Sequence, residues 1–270
     1  MRKALLPLTV LAIACASCVT HRYLVRPLEF HTFDSAHDYR VVLEPLKLGI
    51  GLAYSPVNHL GVCAHTYSTF STSYASHDNV GLSEEGHWET SSESQFSGAG
   101  GGLGYYGRLK KDVGFEVFAT YDYQHARYRF AYKHWSQPPM VDVSDAFNAY
   151  LHTLRIQPGL NFADKKTIAS FGIGIDGVYT TRPHYFPKTP HTLNGTFDLL
   201  LEPGFNVTAY PLEFGFSANK SIFHPNGSPY DFQIKGINST SNFNAFNVYL
   251  RLKFSNQQIA RWWKKERAGR

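Results

Sequence analysis

The sequence has few cysteines, little charge and only one long apolar run, and each shortage excludes a class of protein. Two of its 3 cysteines, Cys15 and Cys18, lie near the N-terminus. The chain therefore has no disulfide framework and lacks the two Cys-x-x-Cys pairs of a structural zinc site. No second apolar run reaches the length that a membrane-spanning helix needs, which excludes a helical membrane protein.

Charged residues make up 17% of the chain, and its net charge of +5 is concentrated at one end. The final stretch "ARWWKKERAGR" carries four of these net positive charges, so the rest of the protein is close to neutral. This distribution argues against a nucleic-acid-binding protein. By contrast, aromatic residues reach 15%, with 17 Tyr, 20 Phe and 22 Gly, a mixture that favours strands and tight turns.

The N-terminus carries the pattern of an export signal. The basic residues of "MRK" come first, and the apolar stretch "ALLPLTVLAIACASC" that follows is shorter than a membrane-spanning helix. A cysteine preceded by small residues resembles a bacterial lipobox, where the signal is cut before a Cys that receives diacylglycerol and palmitate. We predict residues 1–17 as the signal peptide and Cys18 as the lipidated residue. The alternatives are lipidation of Cys15 and an ordinary secretory signal.

Most of the remaining chain alternates apolar and polar residues with a period of two, which is typical of strands with one apolar face. In residues 197–209 the odd positions are apolar and the even positions are mostly polar, with a break at Leu200. Residues 246–254 alternate in the same way. Such patterns predict ten strands, over residues 38–44, 48–56, 60–71, 98–109, 113–131, 149–163, 167–182, 196–209, 212–223 and 245–254.

The connections between these strands alternate in length. The short links are "VNH", "KKD", "DKK" and "YP", and the long polar stretches cover residues 73–97, 133–148, 183–195 and 224–242. This asymmetry is typical of an outer-membrane β-barrel, and a soluble lipocalin-like barrel is the rival. We therefore predict an all-β chain forming a single antiparallel up-and-down transmembrane β-barrel of about ten strands. Eight strands are the alternative, and in either case periplasmic turns are short and extracellular loops are long.

An even number of strands places both ends of the barrel on the same, periplasmic side. The predicted order along the chain is a periplasmic tether at residues 18–37, the barrel at 38–254 and a basic amphipathic tail at 255–270. Because both ends share one side, a lipid on Cys18 would lie in the leaflet next to the start of the barrel.

In the predicted tail, Ile259, Trp262 and Trp263 have the i, i+3, i+4 spacing of one helical face, and basic residues surround them. Trp262 and Trp263 share an apolar face, and Lys264 and Lys265 lie beside them. This arrangement favours a short helix on the membrane surface, and a frayed basic tail is the alternative.

The polar faces of the predicted strands carry charges of both signs. They are Arg108, Glu116, Asp122, Arg155, Asp198, Glu202, Glu213, Arg251 and Lys253. Mixed charges of this kind favour a narrow barrel that is filled by its own side chains over one that holds an aqueous channel.

Three pairs of residues have the chemistry of a hydrolase: His65 with Ser68, His77 with Asp78, and Asp142 with Asp145. None belongs to a recognisable hydrolase motif, and histidines and carboxylates near loops are mostly solvated surface groups. We therefore predict no catalytic residues and no enzymatic activity.

One acidic stretch, "ASHDNVGLSEEGHWETSSESQF", has the composition of a divalent-cation site. Its candidate ligands are His77, Asp78, Glu84, Glu85 and His87. The stretch lacks the D-x-[DN]-x-[DN]-G spacing of a calcium loop, so we predict no specific metal site.

Several stretches resemble a family of Bacteroidota outer-membrane β-barrel lipoproteins. They are the lipobox, "LGIGLAYSPVNHLGVCA", "GYYGRLKKDVGFEVFATYDY", "LRIQPGLNF", "LLLEPGFNVTAYPLEFGFSA" and "NVYLRLKF". The resemblance implies a lipid-anchored barrel in the bacterial outer membrane with loops facing outside. It implies no catalytic residues and no cofactor besides the covalent lipid.

We therefore expect a non-enzymatic outer-membrane lipoprotein that is an accessory component of a membrane complex or that binds a ligand through its surface loops. The expected partners are outer-membrane lipid, lipopolysaccharide and other outer-membrane proteins, and no nucleic acid. A barrel-rim hydrolase acting on lipid A or peptide is the alternative, and a small pore is the third.

Overall fold

A computed structural model describes the chain from residue 28 to residue 256 with several gaps. The described residues are 28–79, 86–135, 141–164, 167–185, 196–223, 232–234, 237–239 and 245–256. Strands account for most of them, as the period-two alternation predicts.

Twelve strands are described in chain order. They are β1 (Tyr39–Glu44), β2 (Gly49–Val57), β3 (Leu60–Asn79), β4 (Gly86–Lys110), β5 (Val113–Trp135), β6 (Val141–Ala163), β7 (Ile168–Tyr185), β8 (Thr196–Ala209), β9 (Leu212–Phe223), β10 (Phe232–Ile234), β11 (Ile237–Ser239) and β12 (Ala245–Ser255). A short 3-10 turn, Pro45–Lys47, lies between β1 and β2.

Ten of these strands close into one barrel with antiparallel neighbours. Its order is β1, β12, β9, β8, β7, β6, β5, β4, β3, β2 and back to β1. The barrel closes where the first strand pairs with the last, for example at Val41 and Phe254. β10 and β11 form a separate two-stranded sheet. The predicted ten-stranded antiparallel barrel is confirmed, and the alternative of eight strands is wrong.

Two of the predicted long loops, 73–97 and 133–148, are strands over most of their length. β3 and β4 stay paired until Asn79 lies opposite Gly86. β5 and β6 likewise stay paired as far as His134. The alternation rule needs one apolar face, and residues 73–79 and 86–97 are largely polar on both faces. In β6 the apolar face of Val141, Val143 and Phe147 is interrupted by Asp145, which weakens the signal there. Their Ser, Thr and aromatic residues are nevertheless compatible with an extended sheet.

The connections are shortest at the end of the barrel where β1 begins and β12 ends. Two residues link β2 to β3, two link β4 to β5 and two link β8 to β9, and four residues link β6 to β7. We call this the short-turn end. At the opposite end the link from β1 to β2 is also short, but β3 to β6 continue far beyond it as a paired sheet.

The barrel wall buries polar residues and exposes apolar ones. On β6, Arg155 and Gln157 face inward and are buried, whereas Leu154 and Ile156 face outward and are exposed. Leu200, where the alternation of β8 breaks, faces inward and is fully buried. In every strand of the barrel, buried inward side chains alternate with more exposed outward ones, because successive side chains point to opposite faces of the sheet.

The inward charges predicted from the sequence lie inside the barrel, with one exception. The buried ones are Glu116, Asp122, Arg155, Asp198, Glu202, Glu213, Arg251 and Lys253. Arg108 is the exception, since its side chain is 60% exposed.

Large apolar side chains are exposed on the outer face all around the wall. They include Leu52, Val62, Leu103, Tyr121, Leu154, Ile173, Phe197, Phe216 and Leu250. The distribution is the reverse of a water-soluble barrel, where apolar side chains fill the interior.

Candidate functional site: the barrel interior

The first described residues run through the inside of the barrel. Residues 28–33, which we call the inner segment, are each at most 8% exposed, and Leu28 and Phe30 are fully buried. This segment belongs to no strand and pairs with no strand of the wall. Over these residues the structure differs from the predicted tether, since the chain is enclosed by the barrel before it enters β1.

Two cations of β12 bind carbonyl groups of the inner segment. The Arg251 guanidinium donates to the carbonyl oxygen of Leu28 at 2.9 Å, and Lys253 Nζ donates to that of Phe30. The Tyr249 hydroxyl also donates to the Leu28 carbonyl, at 3.4 Å. Carbonyl oxygens that are removed from water need such donors, and a cation is the strongest available.

The amide groups of the inner segment are bound by polar side chains of β5 and β6. Both oxygens of the Glu116 carboxylate accept hydrogen bonds, one from the amide of His31 and one from that of Thr32, at 3.0 Å each. Gln157 binds Glu29 twice, since it accepts from the amide at 3.3 Å and donates to the carbonyl at 2.9 Å. The wall thus supplies partners for main-chain donors and acceptors alike.

Glycines of the wall make room for the two buried apolar side chains of the inner segment. A Cβ on Gly159 or on Gly172 would lie 2.7 Å from the ring of Phe30. A Cβ on Gly174 would lie 2.9 Å from Leu28, and one on Gly204 would lie 2.8 Å away. Contacts below 3 Å are steric clashes, so a larger residue at these positions would force the Phe30 or Leu28 side chain to move.

A triad of ions lies beside Leu28. The Arg155 guanidinium binds both oxygens of Asp176, at 2.6 and 2.8 Å, and one oxygen of Glu202 at 2.5 Å. Ser217 donates to the other oxygen of Glu202. All three charged side chains are at least 93% buried, so the triad persists only because each charge has a partner.

A second cluster of ions joins β1, β9 and β12. Arg251 binds Glu44 at 2.7 Å and Glu213 at 3.2 Å, and Lys253 binds Glu213 at 3.0 Å. Thr208 donates to the same carboxylate at 3.0 Å. The two cations that hold the inner segment therefore also hold wall carboxylates.

Aromatic side chains surround the inner segment where it reaches the short-turn end. The Phe33 ring lies 5.3 Å from that of Tyr106 and 6.4 Å from that of Phe118. Arg40 lies 5.7 Å from the centre of the Phe33 ring and donates to the carbonyl of Thr32 at 2.7 Å. Asp34, which follows, is bound by the exposed side chain of Arg108.

Apolar side chains also face inward, further from the short-turn end. Phe96, Ala126, Leu151, Val178 and Leu200 are each at most 1% exposed. Together with the ion clusters and the inner segment they occupy the interior of the described part of the barrel.

The predicted lipidation and tail residues lie outside the described residues. This holds for Cys15 and Cys18 and for Trp262, Trp263, Lys264 and Lys265. These predictions therefore stay predictions.

The candidate metal ligands are described only in part. Glu84 and Glu85 lie outside the described residues, and the backbone register places Asp78 of β3 opposite His87 of β4, with His77 next to Asp78. The side chains of these strand residues are not described. Among the residues that are, no three His, Cys, Asp or Glu side chains converge on a point where a metal ion could bind.

Of the three candidate hydrolase pairs, one has both side chains described. His65 Nε2 hydrogen-bonds to Asp122 of β5 inside the barrel, and its side chain is 2% exposed. Ser68 lies three residues further along β3 and therefore on the opposite face. The wall thus separates His65 from Ser68. His77 with Asp78 and Asp142 with Asp145 lie where side chains are not described.

Within the described part of the chain, no helix is both long and apolar enough to cross a membrane. Comparison with protein-family models, with curated proteins and with solved structures found no match to this chain. The inner segment is the element that the sequence reasoning missed. Its signal is weak but present, since "LEFHTF" places two apolar residues at alternate positions immediately before the first strand.

Proposed function

We propose that this protein is a non-enzymatic outer-membrane β-barrel lipoprotein that serves as an accessory component of an outer-membrane complex or binds a ligand at its surface. The observation that carries the proposal is the apolar outer wall around a charged interior. In water such a wall would be a very large exposed apolar patch, whereas in a bilayer it faces hydrocarbon.

The dimensions of the wall support the same proposal. A transmembrane strand needs about 9–11 residues, and the alternating parts of β5 to β9 provide this length. A closed barrel also leaves no unpaired strand edge, which a bilayer does not tolerate. Bacteroidota outer membranes are the location that the family resemblance implies.

An accessory or binding role is favoured over the other two functions. A pore needs an open path, and the inner segment and the buried ion clusters occupy the interior. A rim hydrolase needs an accessible catalytic group, and in the one candidate pair whose side chains are described, His65 is buried on Asp122 and lies on the opposite face from Ser68. The surfaces that remain are the outer wall and the paired sheet of β3 to β6 beyond the short β1–β2 link.

Membrane fractionation and native purification test this function. The protein should co-sediment with outer membranes, resist carbonate extraction and change its gel mobility on heating. A native pull-down in mild detergent should then recover a stoichiometric outer-membrane protein or lipopolysaccharide. A protein that stays in solution without detergent would refute the membrane location, and a purified barrel that deacylates lipid A would support the hydrolase instead.

Metabolic labelling tests the lipid anchor separately. Palmitate should label the wild type in a globomycin-sensitive manner, and Cys18→Ala should remove the label. Cys15→Ala is the matched control, because it removes the neighbouring thiol and leaves Cys18 in place. Label that survives in Cys18→Ala but is lost in Cys15→Ala would assign the cut to Cys15.

A further inference from the structure

We propose that the barrel interior is a binding site for an extended peptide, and that residues 28–33 are its resident, displaceable occupant. This goes beyond the proposed function, since it concerns the inside of the barrel and holds wherever the barrel resides. The inner segment makes its contacts as a bound peptide does, through side chains of the wall instead of a strand ladder.

The wall contacts the main chain of five consecutive residues. Groups of residues 28–32 bind Arg251, Gln157, Lys253, Glu116 and Arg40 in turn. Because each of these bonds joins a wall side chain to a backbone group, another extended peptide with a different sequence could make them. Such main-chain contacts give affinity without selecting side chains.

Selectivity for side chains comes from two pairs of wall glycines, which we call the glycine cradles. Gly159 and Gly172 leave space that the Phe30 ring fills, while Gly174 and Gly204 leave space for Leu28. Glycine weakens a strand, and its presence inside one often marks the close approach of another group. The glycines therefore fit a peptide with an aliphatic residue at the position of Leu28 and an aromatic residue at the position of Phe30.

The wall is complete without the inner segment. Its ten strands close through the pairing of β1 with β12, which begins only at residue 40. The wall groups that bind the segment also bind other side chains of the wall: Arg251 pairs with Glu44, Lys253 pairs with Glu213, and Glu116 accepts from Asn161. Removing the segment therefore leaves both cations paired with carboxylates and Glu116 with one hydrogen-bond donor.

The turn between the inner segment and β1 is open to a protease. Asp34, Ser35 and His37 are exposed. A protease site inserted between Asp34 and His37 of the full chain allows the connection to be cut after the purified protein has folded in detergent. The segment is then held by non-covalent contacts alone.

Exchange with a labelled peptide is the test. Fluorescein-labelled "LEFHTFD" should bind the cut barrel saturably, as measured by anisotropy, and unlabelled peptide should compete. The uncut barrel should bind less than about a tenth as much, because the attached segment occupies the site at high effective concentration. A barrel that unfolds on cutting, or a cut, folded barrel that never takes up the peptide, would make the segment ordinary core and overturn the proposal.

Changing the size of the residue at position 30 of the peptide, and of Gly159 in the wall, tests whether the peptide binds between Gly159 and Gly172. The peptide with Phe30→Ala should bind the cut barrel at least about tenfold more weakly, since it loses a fully buried ring. In the wall variant Gly159→Ala the wild-type peptide should bind more weakly, and the Phe30→Leu peptide should regain affinity. Equal binding of all peptides to both barrels would indicate adsorption to the outer wall and would overturn the proposal.

Discussion

The guanidinium of Arg251 donates a 2.9 Å hydrogen bond to the carbonyl of Leu28, although 223 positions separate the two residues in the chain. The same guanidinium binds Glu44 of β1 and Glu213 of β9. One side chain of the last strand therefore connects the inner segment to two further strands of the wall. The closing of the barrel and the enclosure of the segment depend on the same buried charge.

The ion triad provides a prediction about stability. Arg155→Met should lower the free energy of unfolding by about 3–5 kcal/mol, because Asp176 and Glu202 would remain buried without the cation that binds both. Urea unfolding in detergent micelles, followed by tryptophan fluorescence, measures this difference.

Arg108→Met is the matched control for the triad. Arg108 also pairs with a carboxylate, Asp34, but the two side chains are 60% and 55% exposed. Its removal should change the free energy of unfolding by no more than about 1 kcal/mol. Similar losses in the two variants would show that burial does not set the importance of these pairs.

The Glu116 carboxylate provides a prediction about local opening. Glu116→Gln keeps one acceptor oxygen and loses the other, so one of the amides of His31 and Thr32 would be buried without a partner. Hydrogen exchange of the inner segment should become roughly tenfold faster, corresponding to a loss of about 1.4 kcal/mol in local stability. Asp112→Asn, in an exposed turn next to the same strand, should leave this exchange unchanged. Equal acceleration in both variants would contradict the role given to Glu116.

The cradle of Leu28 provides a coupling prediction. Gly174→Ala should destabilise the barrel by about 1–3 kcal/mol, because the new Cβ would lie 2.9 Å from the Leu28 side chain. Combined with Leu28→Ala, the same change should cost clearly less, since the clashing atoms are gone. Gly114→Ala is the control, because its nearest neighbour would lie at 3.4 Å, an ordinary contact. Strictly additive losses in the Gly174 and Leu28 pair would show that the two residues do not share this space.

The sequence predicts the wall well because one physical rule governs it. β8 has an apolar outer face and a mostly polar inner face, and the alternation alone assigns its residues from Phe197 to Ala209 to the correct side. At Leu200 the pairing with β7 stays continuous, and the inward leucine is fully buried. The pairing with β9, by contrast, shifts between Leu199 and Leu200.

Period-two alternation does not predict the parts of the chain that lack a single apolar face. The extension of β3 and β4 to Asn79 and Gly86 is polar on both sides, so period-two alternation gives no signal there. The inner segment is enclosed by the wall on all sides, and its partners, such as Gln157 for Glu29, are distant in the chain. Alternation also does not predict the ion pairs, because it gives the direction of a side chain and not its partner on another strand. It shows that Arg155 faces inward but not that Arg155 binds Asp176 and Glu202.

The exposed apolar wall provides the prediction that separates a membrane barrel from a soluble one. Leu154 is 59% exposed on β6, in the part of the wall that would lie within the bilayer. In lipid, Leu154→Arg would place a charge among hydrocarbon chains at a cost of about 2–4 kcal/mol near the middle of the membrane. The folded, heat-modifiable form in the outer-membrane fraction should therefore fall several-fold. Thr167→Arg, in the exposed short link between β6 and β7, should leave that fraction unchanged. If the wall instead faced water, Leu154→Arg would replace an exposed apolar side chain by a soluble one, and the amount of folded protein would stay the same or rise.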